Sequence, residues 1–310
     1  MESGESDFKH AAVVGCGLIG AGWAAQMLMH GLIVTACDLV MEPDALLASV
    51  RARLIEAGTP EKEADTLMER FHCQRDLETA VANVQWVQES IIEDVDRKRE
   101  VISRIDAATA PDVIIATSTS SLKIVDMQVG SKHPERFLAG HPFLPVTLIP
   151  LVEVMGGPDT SAETIEKAMA FYARIGKAPI HVLKEIAGLV GNRLQAAVQR
   201  EAFYMLSEGV ASAADIDKAL SEGLGPRWAA TGAIISFALA GGDKGIRGAF
   251  SQFAPVLRTF WKELGDPKVT PELEQEIIAA CDAMLEDTPA EEWMDRRWKV
   301  VRAAQKAKLN

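Results

Sequence analysis

The chain is poor in aromatic residues, in basic charge and in cysteine, and each shortage removes a class of function. Phe, Trp and Tyr make up 6% of the 310 residues; with no low-complexity tract, this leaves an ordinary globular composition. Lys and Arg number 32 against 44 Asp and Glu, for a formal net charge of −12 and a pI near 5.1. That sign argues against nucleic acid or an anionic membrane as the main partner. The four cysteines, Cys16, Cys37, Cys73 and Cys281, form no CxxC pair and no metal-ligand spacing. No metal is expected, and Cys16 and Cys37 read as small buried thiols of a reducing compartment. Met1–Lys9 is polar and acidic, unlike a signal peptide, and the uncharged stretch Ala229–Gly242 is too short to cross a bilayer. A cytoplasmic protein is expected.

What is present is 48% hydrophobic sequence, enough for one large core or two moderate ones. Apolar runs at His10–Val14, Leu32–Cys37, Trp86–Val87, Val113–Ala116, Phe137–Gly140, Val152–Met155 and Pro179–Leu183 read as strands. Helical patterns at Ala21–Met29, Pro43–Ala57, Glu61–Phe71, Asp94–Ala107 and Ser161–Ile175 alternate with them. Such alternation predicts a mainly parallel sheet wound on both faces. From Leu189 onward the pattern predicts helices alone: Leu189–Ser207, Ala213–Leu220, Trp228–Leu239, Ile246–Leu264, Pro271–Leu285 and Glu291–Lys306. A boundary within Lys184–Gly188 divides the chain into 1–186, α/β, and 187–310, all-helical.

The first strand runs into Gly15-Cys16-Gly17-Leu18-Ile19-Gly20. Three glycines at this spacing mean little alone, but here a strand precedes them, a helix follows, and Asp38 ends the next strand. Gly15 permits the tight turn, Gly17 lets a pyrophosphate approach the backbone, and Gly20 lets helix and strand pack closely. Leu18 and Ile19 lie within this loop, and the N-terminal N–H groups of the helix after it suit phosphate. Asp38 suits ribose hydroxyls and would repel a 2′-phosphate. The expected cofactor is NAD on a Rossmann-type domain.

Of six histidines, His10, His30, His72 and His133 read as surface groups, and His181 as a satisfied interior residue. His141 stands apart, following a strand on what reads as a carboxyl-end loop, where such sheets do their chemistry. Glu153, twelve residues later, is a carboxylate able to fix its tautomer and stabilise the imidazolium.

Four stretches, Gly15–Gly20, Thr117–Leu122, His141-Pro142-Phe143 through Leu151-Val152-Glu153-Val154, and Gly191-Asn192-Arg193, resemble the 3-hydroxyacyl-CoA dehydrogenase superfamily in order and spacing. The resemblance spans essentially the whole chain and implies a set of roles. His141 would take the proton of a 3-hydroxyl and Glu153 would orient it. Ser120 and Asn192 would hydrogen-bond the reacting oxygen, and Glu93 and Lys98 would contact the nicotinamide half of NAD. Read without the resemblance, Ser120 equally suits a helix cap, Asn192 a tie between domains, and Glu93 with Lys98 a solvated helix face. Two departures stand out: Leu144 replaces the usual Asn, and Ala187-Gly188 replaces the usual Pro-Gly.

Asp38–Trp86 carries ten acidic residues against five basic ones, Arg51, Arg53, Lys62, Arg70 and Arg75. That surface should repel a CoA phosphate and points to a small free 3-hydroxy acid. Val87–Ser90 and Gly223–Ala229 resemble the branch holding L-carnitine 3-dehydrogenase and the lambda-crystallin/L-gulonate 3-dehydrogenase group; Gly241–Gly245 and Gln252–Pro255 are closer to its carnitine members. The expected reaction is therefore oxidation of L-carnitine to 3-dehydrocarnitine. The alternatives are an L-gulonate enzyme, a short-chain 3-hydroxyacyl-CoA enzyme, or a lambda-crystallin-like structural protein that binds NAD. Phe143, Trp228 and Phe253 are candidates for a trimethylammonium head, and Arg193, Arg227 and Arg247 for a carboxylate. The resemblance also implies a homodimer joined through the helical half.

Overall fold

A computed structural model of the chain describes residues 8–309, so the reading of Met1–Lys9 lies, for its first seven residues, outside the described residues. The α/β half contains β1 (His10–Val14), α1 (Leu18–Met29), β2 (Ile33–Cys37), α2 (Pro43–Glu56), α3 (Glu61–Met68), β3 (Phe71–Gln74), α4 (Leu77–Val81), β4 (Trp86–Glu89), α5 (Val95–Ala108), β5 (Ile114–Thr117), α6 (Ile124–Gln128), β6 (Phe137–Pro142), β7 (Leu151–Gly156), α7 (Ala162–Arg174) and β8 (Ala178–His181). One eight-stranded sheet runs in the order β3-β2-β1-β4-β5-β6-β7-β8. Every neighbouring pair is parallel except β6 and β7. Strand order reverses at β1, which lies between β2 and β4, and ligands of such sheets bind at the carboxyl ends beside that reversal.

Period-two alternation explains why both faces are apolar. In β1, Ala11 and Val13 join a core with Trp23, Trp86, Phe171 and Tyr172, while Ala12 and Val14 join one with Val87, Ile102, Ile105 and Ile115. Trp86 and Phe171 stack with centroids 3.9 Å apart, and Phe8 meets Phe171 edge-on at 5.1 Å. A ring pair of this kind adds about 0.5–1.5 kcal/mol beyond its buried area.

The structure departs from the sequence reading in several respects. The helix expected over Glu61–Phe71 stops at Met68, and Phe71 opens the edge strand β3, paired to β2 through Val34↔Phe71. Helix α4, capped by the Asp76 carboxylate on Thr79 N, was not expected. His141 does not sit on a loop after its strand; it is part of β6, which continues to Pro142 because β7 pairs with it there. His181, expected inside, is exposed at the end of the edge strand β8. Helix α1 begins three residues earlier than expected, at Leu18, directly after Gly17.

By internal contacts the chain separates into two compact units, Met1–Val190 and Gly191–Asn310. The second holds α8 (Gly191–Ser207), α9 (Ala213–Lys218), a π-helical stretch (Ala219–Leu224), α10 (Gly225–Leu239), α11 (Gly245–Glu263), α12 (Pro271–Asp287) and α13 (Ala290–Leu309). Helix α10 is broken at Gly232, whose φ of +71° and ψ of 175° leave helical space. Among the described residues of this unit, Ile216, Ala249 and Leu273 are the buried apolar side chains, whereas Ile234, Leu239, Phe250, Phe260 and Trp261 are more than half exposed. No helix among the described residues is long and apolar enough to cross a membrane.

Candidate active site

The glycine loop joins β1 to α1, and its three glycines answer to different demands. Gly15 has φ +85°, and a Cβ there would lie 2.7 Å from Ile91 N. A Cβ on Gly20 would lie 1.9 Å from Gly15 O, so the helix packs onto the turn only without one. Gly17 has φ −62°, and a Cβ there would meet nothing within 4 Å. The protein itself therefore does not require glycine at 17; the open space beside it does. Helix α1 has no side-chain cap and no acidic residue in its first turn, so the N–H groups of Leu18, Ile19 and Gly20 have no acceptor within the helix. That end carries a partial positive charge.

Asp38 follows β2 and ties two segments together. Its Oδ2 accepts from Cys16 N at 2.7 Å, and its Oδ1 accepts from Val40 N at 2.8 Å and Met41 N at 2.9 Å. The carboxylate keeps about one lone pair, on Oδ2, beyond these three bonds. An open glycine cradle, a helix N-terminus and a fixed carboxylate at the next strand's end fit NAD. The neighbouring thiols are not reactive: burial first, then the Asp38 charge, pushes Cys16 far up and Cys37 up to about 11.

At the ends of β4 and β5 the structure gathers a charge cluster. Lys98, on α5, is 1% exposed, which removes the reading of it as a solvated face. Its Nζ donates to Glu89 Oε1 at 2.8 Å, Glu89 Oε2 at 3.0 Å and Ile91 O at 3.3 Å, and lies 3.5 Å from Glu93 Oε2. Glu89, fully buried, also accepts from Thr117 Oγ1 at 2.5 Å and Ile91 N at 2.5 Å. Glu93 Oε1 faces the loop after β5, accepting from Thr119 Oγ1 at 2.5 Å, Ser120 N at 3.1 Å, Ser121 N at 3.2 Å and Ser121 Oγ at 3.0 Å. Burial alone would raise the Glu93 carboxyl, but the Thr119 hydroxyl, the Lys98 ammonium and the Ser121 hydroxyl outweigh it and hold it below the ordinary carboxylate range.

His141 and Glu153 are cross-strand partners of the antiparallel pair β6 and β7, so their side chains share one face of the sheet. His141 Nδ1 lies 2.8 Å from Glu153 Oε2, with both residues buried. An ionised carboxylate only accepts, so the hydrogen is on Nδ1 and Nε2 carries the free lone pair. Glu153 Oε1 accepts from Val190 N at 2.7 Å. The turn before Val190 delivers that N–H by holding Gly188 and Leu189 in the left-handed region, φ +76° and +50°. For a leucine this costs roughly 1–2 kcal/mol.

Gly140, next to His141, packs against Tyr172, whose hydroxyl would lie 1.8 Å from an added Cβ. That hydroxyl donates to Gln88 Oε1 at 2.8 Å, and Gln88 Nε2 donates to Ser118 Oγ at 2.9 Å. Trp23 Nε1 and the Ser90 hydroxyl meet the same Ser118 oxygen at 3.1 and 2.8 Å. The excursion between His141 and Glu153 is held by Lys177, whose buried Nζ donates to Val146 O and, at 2.7 Å, to Ile149 O.

Ser120 lines a cleft of about 340 Å³ with Thr119, Lys123, Met155, Glu185 and Leu189. His141, Glu153, Ser120, Glu93, Asp38 and the glycine loop thus belong to the first unit, on its carboxyl-end strand termini and loops. Phe143 is half-buried with its ring 5.2 Å from that of His141, edge to face. Leu144 is 46% exposed. In the second unit, Asn192 and Arg193 occupy the first turn of α8, Trp228 is 37% exposed on α10, and Phe253 packs on Phe237 at 6.3 Å. Sequence reasoning missed Glu89, Thr117, Gln88, Tyr172 and Lys177. The available signal was an acidic residue ending the apolar run Trp86-Val87, with a lysine nine residues on.

Two family matches cover most of the chain: the NAD-binding domain of 3-hydroxyacyl-CoA dehydrogenase over residues 10–186 and its C-terminal domain over residues 188–280. An L-carnitine dehydrogenase of Streptomyces coelicolor is 42% identical over 279 residues, 88% of this chain and 86% of that protein. One from Streptomyces griseus is 43% identical over 282 residues, 89% of this chain and 83% of that protein. Among solved structures, 5-formyl-3-hydroxy-2-methylpyridine 4-carboxylic acid 5-dehydrogenase, an NAD-dependent dismutase, superposes with a TM-score of 0.76 at 25% identity, over 97% of each chain. The glycine cradle, the Asp38 carboxylate at the next strand's end and the matched domains agree: the chain belongs to the 3-hydroxyacyl-CoA dehydrogenase family and is an NAD-dependent dehydrogenase.

Proposed function

We propose that the chain oxidises a small free 3-hydroxy acid to the 3-oxo acid, with L-carnitine the favoured substrate and 3-dehydrocarnitine the product. The observation that carries the chemistry is the 2.8 Å contact between His141 Nδ1 and Glu153 Oε2. His141 Nε2 takes the proton of the substrate 3-hydroxyl, and the imidazolium that forms is stabilised by the adjoining carboxylate. Ser120 and Asn192 donate to the reacting oxygen. Gly15, Gly17, Gly20 and the N–H groups of Leu18 and Ile19 would hold the pyrophosphate, Asp38 the adenosine ribose, and Glu93 and Lys98 would border the nicotinamide half. When bound, NAD supplies the hydride acceptor.

The substrate reading rests on charge and on kinship. Three of the five basic residues of the Asp38–Trp86 segment are paired with acids: Arg51 with Asp65, Arg53 with Glu56 and Arg75 with Glu42. Arg70 donates instead to Leu28 O. The two Streptomyces relatives are L-carnitine dehydrogenases. Phe143 and Trp228 are assigned to the cationic head, and Arg193 to the carboxylate. Residues 1–186 act as the NAD-binding domain and 187–310 as the substrate-binding and dimerisation domain, in a cytoplasmic homodimer. Six helices with so few buried apolar side chains need a partner surface, and a second copy supplies one.

The test is a panel of carnitine, L-gulonate, 3-hydroxybutyrate and 3-hydroxybutyryl-CoA followed by NADH absorbance, with light scattering for the dimer. Turnover of the CoA ester and not of carnitine would overturn the substrate assignment. A strong preference for NADP would overturn the role given to Asp38.

A further inference from the structure

Glu93 has one oxygen committed to four donors of the Thr119–Ser121 loop, including Ser120 N. Its other oxygen faces Lys98, and the Lys98 ammonium has its hydrogens engaged by Glu89 and Ile91 O. Glu89 in turn is bonded to Thr117, the last residue of β5, from which the Ser120 loop departs. The chain of contacts therefore runs from the sheet interior through Glu89, Lys98 and Glu93 to the backbone of Ser120.

We infer that Glu93, oriented by the buried Lys98–Glu89 pair, is a positioning residue for Ser120: it sets the shape of the Thr119–Ser121 loop and so where the Ser120 hydroxyl stands. The inference rests on the proposed role of Ser120 at the reacting oxygen. Three features of the geometry support it, alongside the place beside the nicotinamide half given to Glu93 and Lys98. The Lys98 ammonium, directed to Glu89 and Ile91 O, is fixed in place beside Glu93. Four donors on one Glu93 oxygen exceed what a passing contact needs and match a loop clamp. Glu89, buried at 2.8 Å from the ammonium, offsets the cost of burying the Lys98 charge.

The clamp matters because misplacing a group that contacts the reacting atom by about 1 Å costs on the order of 10²-fold in rate. In the loop Thr119-Ser120-Ser121 only Thr119 is buried, and Ser120 and Ser121 are exposed, with little packing to hold such a position. The carboxylate supplies what packing does not.

The test combines Glu93→Ala, Glu93→Gln, Ser120→Ala and the double variant Ser120→Ala/Glu93→Ala in the full-length enzyme. Readouts are kcat and the NADH dissociation constant from nicotinamide fluorescence. Glu93→Ala is expected to lower kcat roughly 10- to 100-fold, a larger loss than any fall in NADH affinity. Glu93→Gln keeps a carbonyl acceptor for the loop and is expected to retain more of kcat than Glu93→Ala. Where Ser120 is already Ala, removing Glu93 is expected to cost little further. Lys98→Met combined with Glu89→Gln, which avoids an unpaired buried charge, is expected to reproduce the Glu93→Ala split. Losses of Glu93→Ala and Ser120→Ala that multiply, or NADH affinity falling while kcat holds, would overturn the inference. Unchanged kcat in Ser120→Ala alone would overturn the role of Ser120 and the inference with it.

Discussion

His141 and Glu153 are partners in register across two antiparallel strands, and the same carboxylate that meets the imidazole at 2.8 Å also holds the backbone N–H of Val190. One acid thus orients the base and anchors the segment just before α8. His141→Ala should lower kcat by about 10²–10⁴-fold and leave NADH binding nearly unchanged. Glu153→Gln offers one carbonyl oxygen to two donors, so either His141 or Val190 loses its acceptor; kcat and thermal stability should fall together. Rates near those of the unmodified enzyme in both variants would end the general-base reading.

Much of this was legible in the residues. The glycine loop, Asp38 and the sheet-then-helices division follow from strong local patterns: apolar runs, turn glycines and 3.6-residue periodicity. The pairing of β6 with β7 was not legible, because His141 and Glu153 meet through antiparallel register, a non-local property. Short edge elements escaped for another reason. Phe71-His72-Cys73-Gln74 has one strong strand former and owes its conformation to pairing with β2. The Glu89–Lys98 pair was hidden because a lysine in a charged helix reads as solvated until its partner strand is known.

Gly17 and Gly20 should separate folding from binding. A Cβ at 17 meets no protein atom within 4 Å, whereas one at 20 lies 1.9 Å from Gly15 O. Gly17→Ala should therefore keep its melting temperature while losing NAD affinity, and Gly20→Ala should lose both. Thermal melts beside NADH fluorescence titrations would decide it; unaltered NADH affinity in Gly17→Ala would mean that the cradle holds no pyrophosphate.

Arg136 and Asp106 form a buried pair that joins the end of α5 to the segment before β6. Arg136 Nη2 lies 2.6 Å from Asp106 Oδ1, and Asp106 Oδ2 accepts from Lys132 N and His133 N. Burial would raise the Asp106 carboxyl, but Arg136 and the two N–H groups outweigh it and hold it low. A carboxyl depressed in the folded state adds stability that is present above its unfolded pKa, about 4, and is lost as pH falls through the folded value. Arg136→Met strands the buried charge and should cost about 3–5 kcal/mol at neutral pH. Urea midpoints from pH 7 to pH 3 measure this, and a variant as stable as the parent throughout would refute it.

Lys177 should give a pH dependence of the same sign in a higher window, for a different reason. Its ammonium is buried over the Trp23 ring at 5.5 Å with no carboxylate partner among the described residues, donating to Val146 O and Ile149 O in the excursion that separates His141 from Glu153. Burial lowers its pKa from 10.5 to about 7. Between those values the unfolded chain keeps a proton that the folded chain has released, so the unfolded state binds more protons and stability rises with pH across that window. Below about pH 7 both states are charged and this contribution is flat. Two hydrogens remain on the neutral amine, enough for both carbonyls, so the strap survives deprotonation and loses only the cost of an unpaired buried charge. Lys177→Met removes the titration. Its melting temperature, measured from pH 6.5 to 9.5, should lack the upward trend that the parent shows relative to it, and parallel curves would mean that this amine titrates as an ordinary lysine.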